Sequence, residues 1–188
     1  MKILHCADLH LDSKMTANLD KEKAKERKAE ILTTFVRMVE YAKEHKIEAV
    51  LIAGDLFDTA TVSATAGKAV YQAIVNHPDI TFYYLKGNHD AKGFMDNPEE
   101  IPENLKMFGR DWKSYETGTE NTIVITGVEL DKENIRSVYH ALSLDVTKFN
   151  IVMLHGQENT YQAKDKAECV ALNELRNKGI DYLALGHV

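Results

Sequence analysis

Short, continuous apolar runs alternate along this chain with longer stretches in which apolar residues recur every three or four positions. The runs predict strands over 2–7, 49–53, 80–85, 122–128, 150–154 and 182–185. Val50-Leu51-Ile52-Ala53 has no polar member, which suits a strand covered on both faces. Between the runs, helices are predicted over 21–45, 62–76, 99–108, 133–143 and 166–178. The first begins in a dense set of Lys, Glu and Arg. It then places Ile31, Leu32, Phe35, Val39 and Ala42 on one face, giving a solvated start and a core-facing end. Residues 111–121 are polar around Gly118 and read as a loop. Strand and helix alternating in this order predict an α/β protein of layers, with helices packed on sheets.

Composition narrows the class. At 188 residues, the chain suits one domain with a single sizeable core. No apolar run reaches the length of a membrane span, and the first residues form a strand-like segment rather than an export leader. Cys6 and Cys169 are far apart and outside any C-x-x-C pair, which favours reduced, buried thiols. These features together point to the cytoplasm. The net charge of −6 argues against a generic electrostatic grip on nucleic acid. Acidic metal ligands contribute to that sum, and bound cations would offset them.

The chemistry gathers where the predicted strands end. The first runs into Asp8-Leu9-His10, the second into Gly54-Asp55-Leu56-Phe57-Asp58, and the third into Gly87-Asn88-His89-Asp90. The fifth ends in His155-Gly156 and the last in Gly186-His187-Val188. In α/β proteins ligands collect outside the carboxyl ends of strands. Asp and Asn oxygens with imidazole nitrogens suit Mn, Fe or Zn, and the lack of cysteine argues against a structural thiolate zinc site. Taken singly, each piece has a plainer explanation: a turn for Asp8 or Asp55, a loop for Gly87–Asp90, a core histidine for His155. Their occurrence in order, each at a strand end, is what points to a site. Asp58 reads equally as a functional partner or as the N-cap of the helix that follows. Asp12 and Ser13 either shape the site or form a turn. Gln157 and Tyr161 either line a groove or lie on a surface loop. His5 reads as packing or a strand-end hydrogen bond, and His45, His77 and His140 suit helix ends.

The series Asp8-Leu9-His10, Gly54-Asp55-Leu56-Phe57-Asp58, Gly87-Asn88-His89-Asp90, Leu154-His155-Gly156 and Gly186-His187 resembles the signature of calcineurin-like metallophosphoesterases. The wording Ala7-Asp8-Leu9-His10-Leu11-Asp12-Ser13 is most similar to the SbcD-type DNA-repair exonucleases, relatives of the Mre-type nucleases. The resemblance implies a four-layer α/β/β/α sandwich with mixed sheets and helices outside. It implies two divalent cations, with Mn the first expectation and Fe or Zn as alternatives. Asp8 and His10 would hold the first, Asp55 would bridge, and Asn88, His155 and His187 would complete the second. His89 would sit beside the scissile phosphate, oriented by Asp58. The pair of cations would neutralise the phosphate and activate a water as nucleophile. DNA and an SbcC-type ATPase are the implied partners, and a homodimer is compatible with the sequence. The family pattern at the last strand is Gly-His-x-His. The resemblance therefore implies a chain that stops before the last ligand of the first metal and before a capping segment. Two other functions fit the same residues: a phosphoesterase for small phosphoesters, and a catalytically weak scaffold.

Overall fold

The computed structural model describes residues 1–15, 19–59, 61–90, 94–95, 97–158 and 169–187. The chain begins with β1 (Ile3–Cys6), α1 (Lys21–Glu44), β2 (Ala49–Ala53), α2 (Ala64–Val75), β3 (Thr81–Leu85) and β4 (Leu105–Met107). It continues through β5 (Lys113–Thr117), β6 (Ile123–Gly127), β7 (Phe149–His155), β8 (Gln157–Glu158), β9 (Cys169–Val170) and β10 (Tyr182–Gly186). One sheet has the order β1-β2-β3-β4, all parallel. A second has the order β10-β7-β6-β5, parallel except for the β5–β6 pair, and β8 and β9 form a separate parallel pair.

Strand periodicity assigns the residues to layers. Val50 and Ile52 of β2, with Phe82 and Tyr84 of β3, face Phe35, Val39 and Ala42 of α1 and Val70 and Ile74 of α2. The alternate residues Ala49, Leu51, Ala53, Tyr83 and Leu85 face the second sheet, where they meet Ile125, Ile151, Met153 and Ala184. Every residue of β2 is thus buried, as its unbroken apolar run requires. The far face of the second sheet buries Val152 and Leu154 under Val138, Tyr139, Leu142, Val170 and Leu175. The α/β/β order is therefore present, with a fourth layer over the second sheet.

Four segments differ from expectation. The helix predicted over 99–108 is a 3₁₀ turn, Pro98–Glu100, followed by β4. Pro102 cannot donate to a helical ladder, and beyond it Leu105 and Met107 pair alongside Phe82 and Tyr84 at the sheet edge. The helix predicted over 133–143 is a run of turns ending in a 3₁₀ turn, Val138–Ala141. For the helix predicted over 166–178, residues 166–168 lie outside the described residues, and the rest forms β9 and a 3₁₀ turn, Leu172–Leu175. The described part of the fourth layer is accordingly made of short turns. The segment predicted as a loop contains β5, an edge strand whose outward residues are polar. It is held by Tyr115, which packs between the sheets with its ring 5.9 Å from that of Tyr83 and 5.5 Å from that of Phe108.

The remaining sequence expectations are local. Asp20 caps α1 by accepting from the Lys23 amide. Cys6 and Cys169 are thiols, and burial pushes the Cys6 thiol up to about 12. His5 Nδ1 lies 3.0 Å from the Tyr182 hydroxyl. His45 Nδ1 and His77 Nδ1 approach the carbonyls of Tyr41 and Ala73 at the ends of α1 and α2. Among the described residues, no helix is long and apolar enough to cross a membrane.

Asn104 holds the turn into β4. Its side-chain amide faces the carbonyls of Ile74, His77 and Ile80 at 2.9, 3.1 and 3.1 Å. Replacing Asn104 with Ala leaves these carbonyls without that donor and is expected to lower unfolding stability by about 1–3 kcal/mol in urea titration. A change below about 0.5 kcal/mol would show that solvent satisfies the corner equally well.

Candidate metal centre

Beyond the strand ends, the segments leaving β1 and β2 stay side by side. The amides of Asp8, His10 and Leu11 donate to the carbonyls of Gly54, Asp55 and Leu56, and the Asp58 amide donates to Leu11. Leu11 and Phe57 form a bridge and are fully buried, anchoring this ladder in the helix-facing core. The ladder carries Asp8, His10, Asp55 and Asp58 onto one rim. β3 delivers Asn88 and His89 to it, and β7 and β10 deliver His155 and His187 from the other sheet.

The backbone is strained where these side chains turn inward. Asp8, His10, Asp55 and His187 all have left-handed φ values, of 54°, 46°, 51° and 83°. Outside glycine such a conformation costs about 1 kcal/mol or more per residue, and it persists where the surroundings over-determine it. Gly54, with φ of 89°, has a further constraint: a Cβ there would lie 2.1 Å from His155 Nδ1. A Cβ on Gly87 would lie 2.2 Å from Asp55 Oδ1. Each glycine makes room for a site residue.

Asp8, His10, Asp55, Asp58, Asn88, His89, His155 and His187 come together. Asp8, His10 and Asp55 form one group of oxygen and nitrogen atoms lying within 4.8 Å of one another, and Asp55, His155 and His187 form a second. Asp55 belongs to both, with 1% of its surface exposed. Its Oδ2 lies 3.2 Å from His155 Nε2 and 4.0 Å from His10 Nε2, and its Oδ1 accepts from the His89 amide at 2.9 Å. Asn88 Oδ1 joins the second group, 3.1 Å from His155 Nε2. The His187 amide donates to both oxygens of Asp8, at 3.1 and 2.9 Å, tying the two groups together. His155 is aimed by its other nitrogen, with Nδ1 2.9 Å from the Ala53 carbonyl.

His89 stands on the rim beside the first group, its ring edge-on to that of His10 at 5.4 Å. Its Nδ1 lies 3.1 Å from Asp58 Oδ1. The capping role open to Asp58 belongs instead to Ser63, whose hydroxyl accepts from the Ala66 amide at the start of α2. Asp12 accepts from the Ser63 amide and pairs with Lys28, a structural role. Ser13 donates to Asp58 Oδ2 at 2.8 Å. Gln157 Nε2 lies 3.1 Å from His187 Nε2, so it borders the second group. Tyr161 lies outside the described residues.

Asp90, which sequence reasoning leaves without a role, also serves the site. Its carboxylate accepts from the amides of Phe57 and Gly87 at 2.7 and 2.8 Å, clamping the β2 and β3 exits together. Burial raises its carboxyl above the usual range, against the pull of those two amides. Its position at the end of Gly87-Asn88-His89-Asp90 is the signal the sequence offers.

The donor set fits divalent cations. Carboxylate, amide and imidazole atoms converge without thiolate, a set that suits Mn, Fe or Zn. His10 Nδ1 is buried with no hydrogen-bond partner among the described residues. Each group could hold a metal ion, and Asp55 is common to both.

A centre of this kind, at the strand ends of a layered α/β fold, agrees with comparison to known proteins. The chain belongs to the calcineurin-like phosphoesterase family, whose pattern matches residues 1–188. It is 28% identical over its whole length to an uncharacterized metallophosphoesterase, YhaO, of Bacillus subtilis, covering 48% of that protein. It is 26% identical over its whole length to the DNA double-strand break repair protein Mre11 of Sulfolobus acidocaldarius, covering 49% of it. Over 54% of the chain it is 29% identical to a component of the nuclease SbcCD of Escherichia coli K12, covering 24% of that component. The chain thus spans about half the length of the first two relatives and about a quarter of the third.

The Asp55–His155 pair gives the metal-free centre a defined pH dependence. Burial alone would lower the His155 imidazole, but the hydrogen bond and charge of Asp55 raise it above 6.5. Burial alone would raise Asp55, but His155 and the His89 amide hold it below 3.8. The raised His155 stabilises the metal-free fold fully below pH ~6.5, and this is lost as pH climbs through its folded value. The lowered Asp55 stabilises it above pH ~3.9, and this is lost as pH falls through its folded value. A metal held by His155 would compete with its proton, so binding would release protons and metal stabilisation would grow with pH. Thermal unfolding with manganese and with chelator is expected to show a Tm gap that widens from pH 5.5 to pH 8, taken as a rough span around the His155 reference. A gap that narrowed over that span would contradict the pairing.

Proposed function

We propose that this chain is the catalytic part of a metal-dependent phosphodiesterase acting on DNA, a cytoplasmic repair exonuclease that works with an SbcC-type ATPase. Its phosphoesterase class follows from its family. The observation that favours DNA is the similarity, along the entire chain, to a protein named for double-strand break repair.

Asp8, His10 and Asp55 would hold one cation, and Asp55, Asn88, His155 and His187 the other, with manganese the first candidate. Bound there, the pair supplies charge neutralisation for the phosphate and a lower pKa for the attacking water. The protein's own residues supply orientation and a proton. The attacking water would give up one proton to solvent; as its oxygen bonds to phosphorus, the bond from phosphorus to the leaving oxygen breaks, and that oxygen needs a proton. His89 is the donor. Its Nδ1 is directed at Asp58 Oδ1, leaving Nε2 as the nitrogen that can face a leaving oxygen. In the protonated ring, Nδ1 makes a charge-assisted hydrogen bond to the Asp58 carboxylate, and solvent returns the proton after each turnover.

The test compares linear DNA, bis-p-nitrophenyl phosphate and mononucleotides as substrates of the manganese-loaded protein. DNA is expected to be shortened from its ends. His89→Ala is expected to reduce that turnover by about 100-fold or more at unchanged metal content. Turnover of the small phosphoesters alone would make the protein a small-molecule phosphoesterase. No turnover at full metal content would make it a scaffold. Full activity in His89→Ala would remove His89 from the mechanism.

A further inference from the structure

Ser13 has no place in the mechanism above, yet it touches both halves of the machinery. It follows the Asp8-Leu9-His10 turn, where its amide donates to the His10 carbonyl at 3.3 Å. Its hydroxyl donates to Asp58 Oδ2 at 2.8 Å, while Asp58 Oδ1 faces His89 Nδ1 at 3.1 Å. The two oxygens of one carboxylate are thus divided between a serine and a histidine. A carboxylate held at one oxygen only can rotate about its Cβ–Cγ bond, where the torsional wells are broad. Ser13 removes that freedom. Asp58 itself is anchored by its amide to the Leu11 carbonyl, in the same ladder that carries His10. The serine, the carboxylate and the imidazole therefore form a chain of hydrogen bonds that starts on the β1 exit and ends on the β3 exit.

We infer that Ser13 is a positioning residue for proton donation: it fixes the Asp58 carboxylate so that His89 Nε2 is held toward the leaving oxygen. The inference rests on the reading of His89 as the proton donor. Ser13 acts through Asp58, to which its hydroxyl donates.

A positioning role of this kind shows in the leaving group. The p-nitrophenyl and phenyl esters of thymidine 5′-phosphate differ only in the phenol expelled. p-Nitrophenolate leaves without a proton, whereas phenolate is a poorer leaving group that gains from one. With manganese-loaded protein, Ser13→Ala is expected to lower kcat on the phenyl ester by about 10-fold and on the p-nitrophenyl ester by less than about 2-fold. KM and metal content should stay unchanged, and Ser13→Thr, which keeps the hydroxyl, should restore the rate. In an Asp58→Ala background Ser13→Ala should cost nothing further, since the two residues act as one unit. Independently of activity, the His89 Nδ1 proton in metal-free, ¹⁵N-histidine-labelled protein should exchange with solvent faster in Ser13→Ala.

Equal loss on both esters, loss of bound manganese, or an undiminished effect in the Asp58→Ala background would overturn the inference. His89→Ala separates it from the reading beneath it. If His89→Ala is selective for the phenyl ester and Ser13→Ala is not, only the role of Ser13 falls. If His89→Ala loses both esters equally, the proton-donor reading falls and the role of Ser13 falls with it.

Discussion

A carboxylate buried between two sheets must be paired, and the placement of Asp55 organises the rest of this site. Removing an ionised carboxyl from water costs several kcal/mol, on the order of more than one hydrogen bond returns. Asp55 meets that cost with the His155 imidazole on one oxygen and the His89 amide on the other. Those partners come from different sheets, so the pairing requires the β2, β3 and β7 ends to meet. The apolar layer between the sheets, from Ala49 and Leu51 to Ile151 and Met153, sets that meeting. A divalent cation at the same place would substitute for the imidazolium proton, which links metal binding to pH.

Such convergence demands unusual backbone. Left-handed φ at Asp8, His10, Asp55 and His187 is tolerable because each lies in a hydrogen-bonded frame. The β1 and β2 exits form a ladder anchored by the buried Leu11–Phe57 bridge. Asp90 clamps the β2 exit to the β3 exit, and the His187 amide ties β10 to Asp8. The site is thus cross-linked through hydrogen bonds among five strand ends, and strain at one is balanced by connections to the others. That is the preorganisation a centre needs if its donor atoms are to converge without reorganising on each turnover.

Much of this was legible in the sequence, for physical reasons. A strand buried on both faces is mostly apolar, so β2 and the Ile151–Leu154 run of β7 announce themselves. Chemistry at strand ends follows from parallel sheets, so Asp8, Asp55, Asn88, His89, His155 and His187 could be picked out by place and type. The less visible parts depend on tertiary contact. β5 is an edge strand with one strongly packed residue, Tyr115, and its alternation is too weak to stand out. β4 hides in a helix-like pattern that Pro102 interrupts. The two open readings of Asp58 could be separated only when Ser63 was seen to cap α2. Ser13 and Asp90 act on residues far away in sequence, and no local pattern encodes that distance.

The most direct test of a shared-carboxylate centre is manganese stoichiometry, measured by calorimetric titration of the wild-type protein, Asp55→Ala and His10→Ala. Two cations that share Asp55 predict that Asp55→Ala abolishes or severely weakens both binding events together. His10→Ala should weaken one event and leave the other near its original affinity. An Asp55→Ala protein that folds normally and still binds one manganese with wild-type affinity would contradict the shared centre.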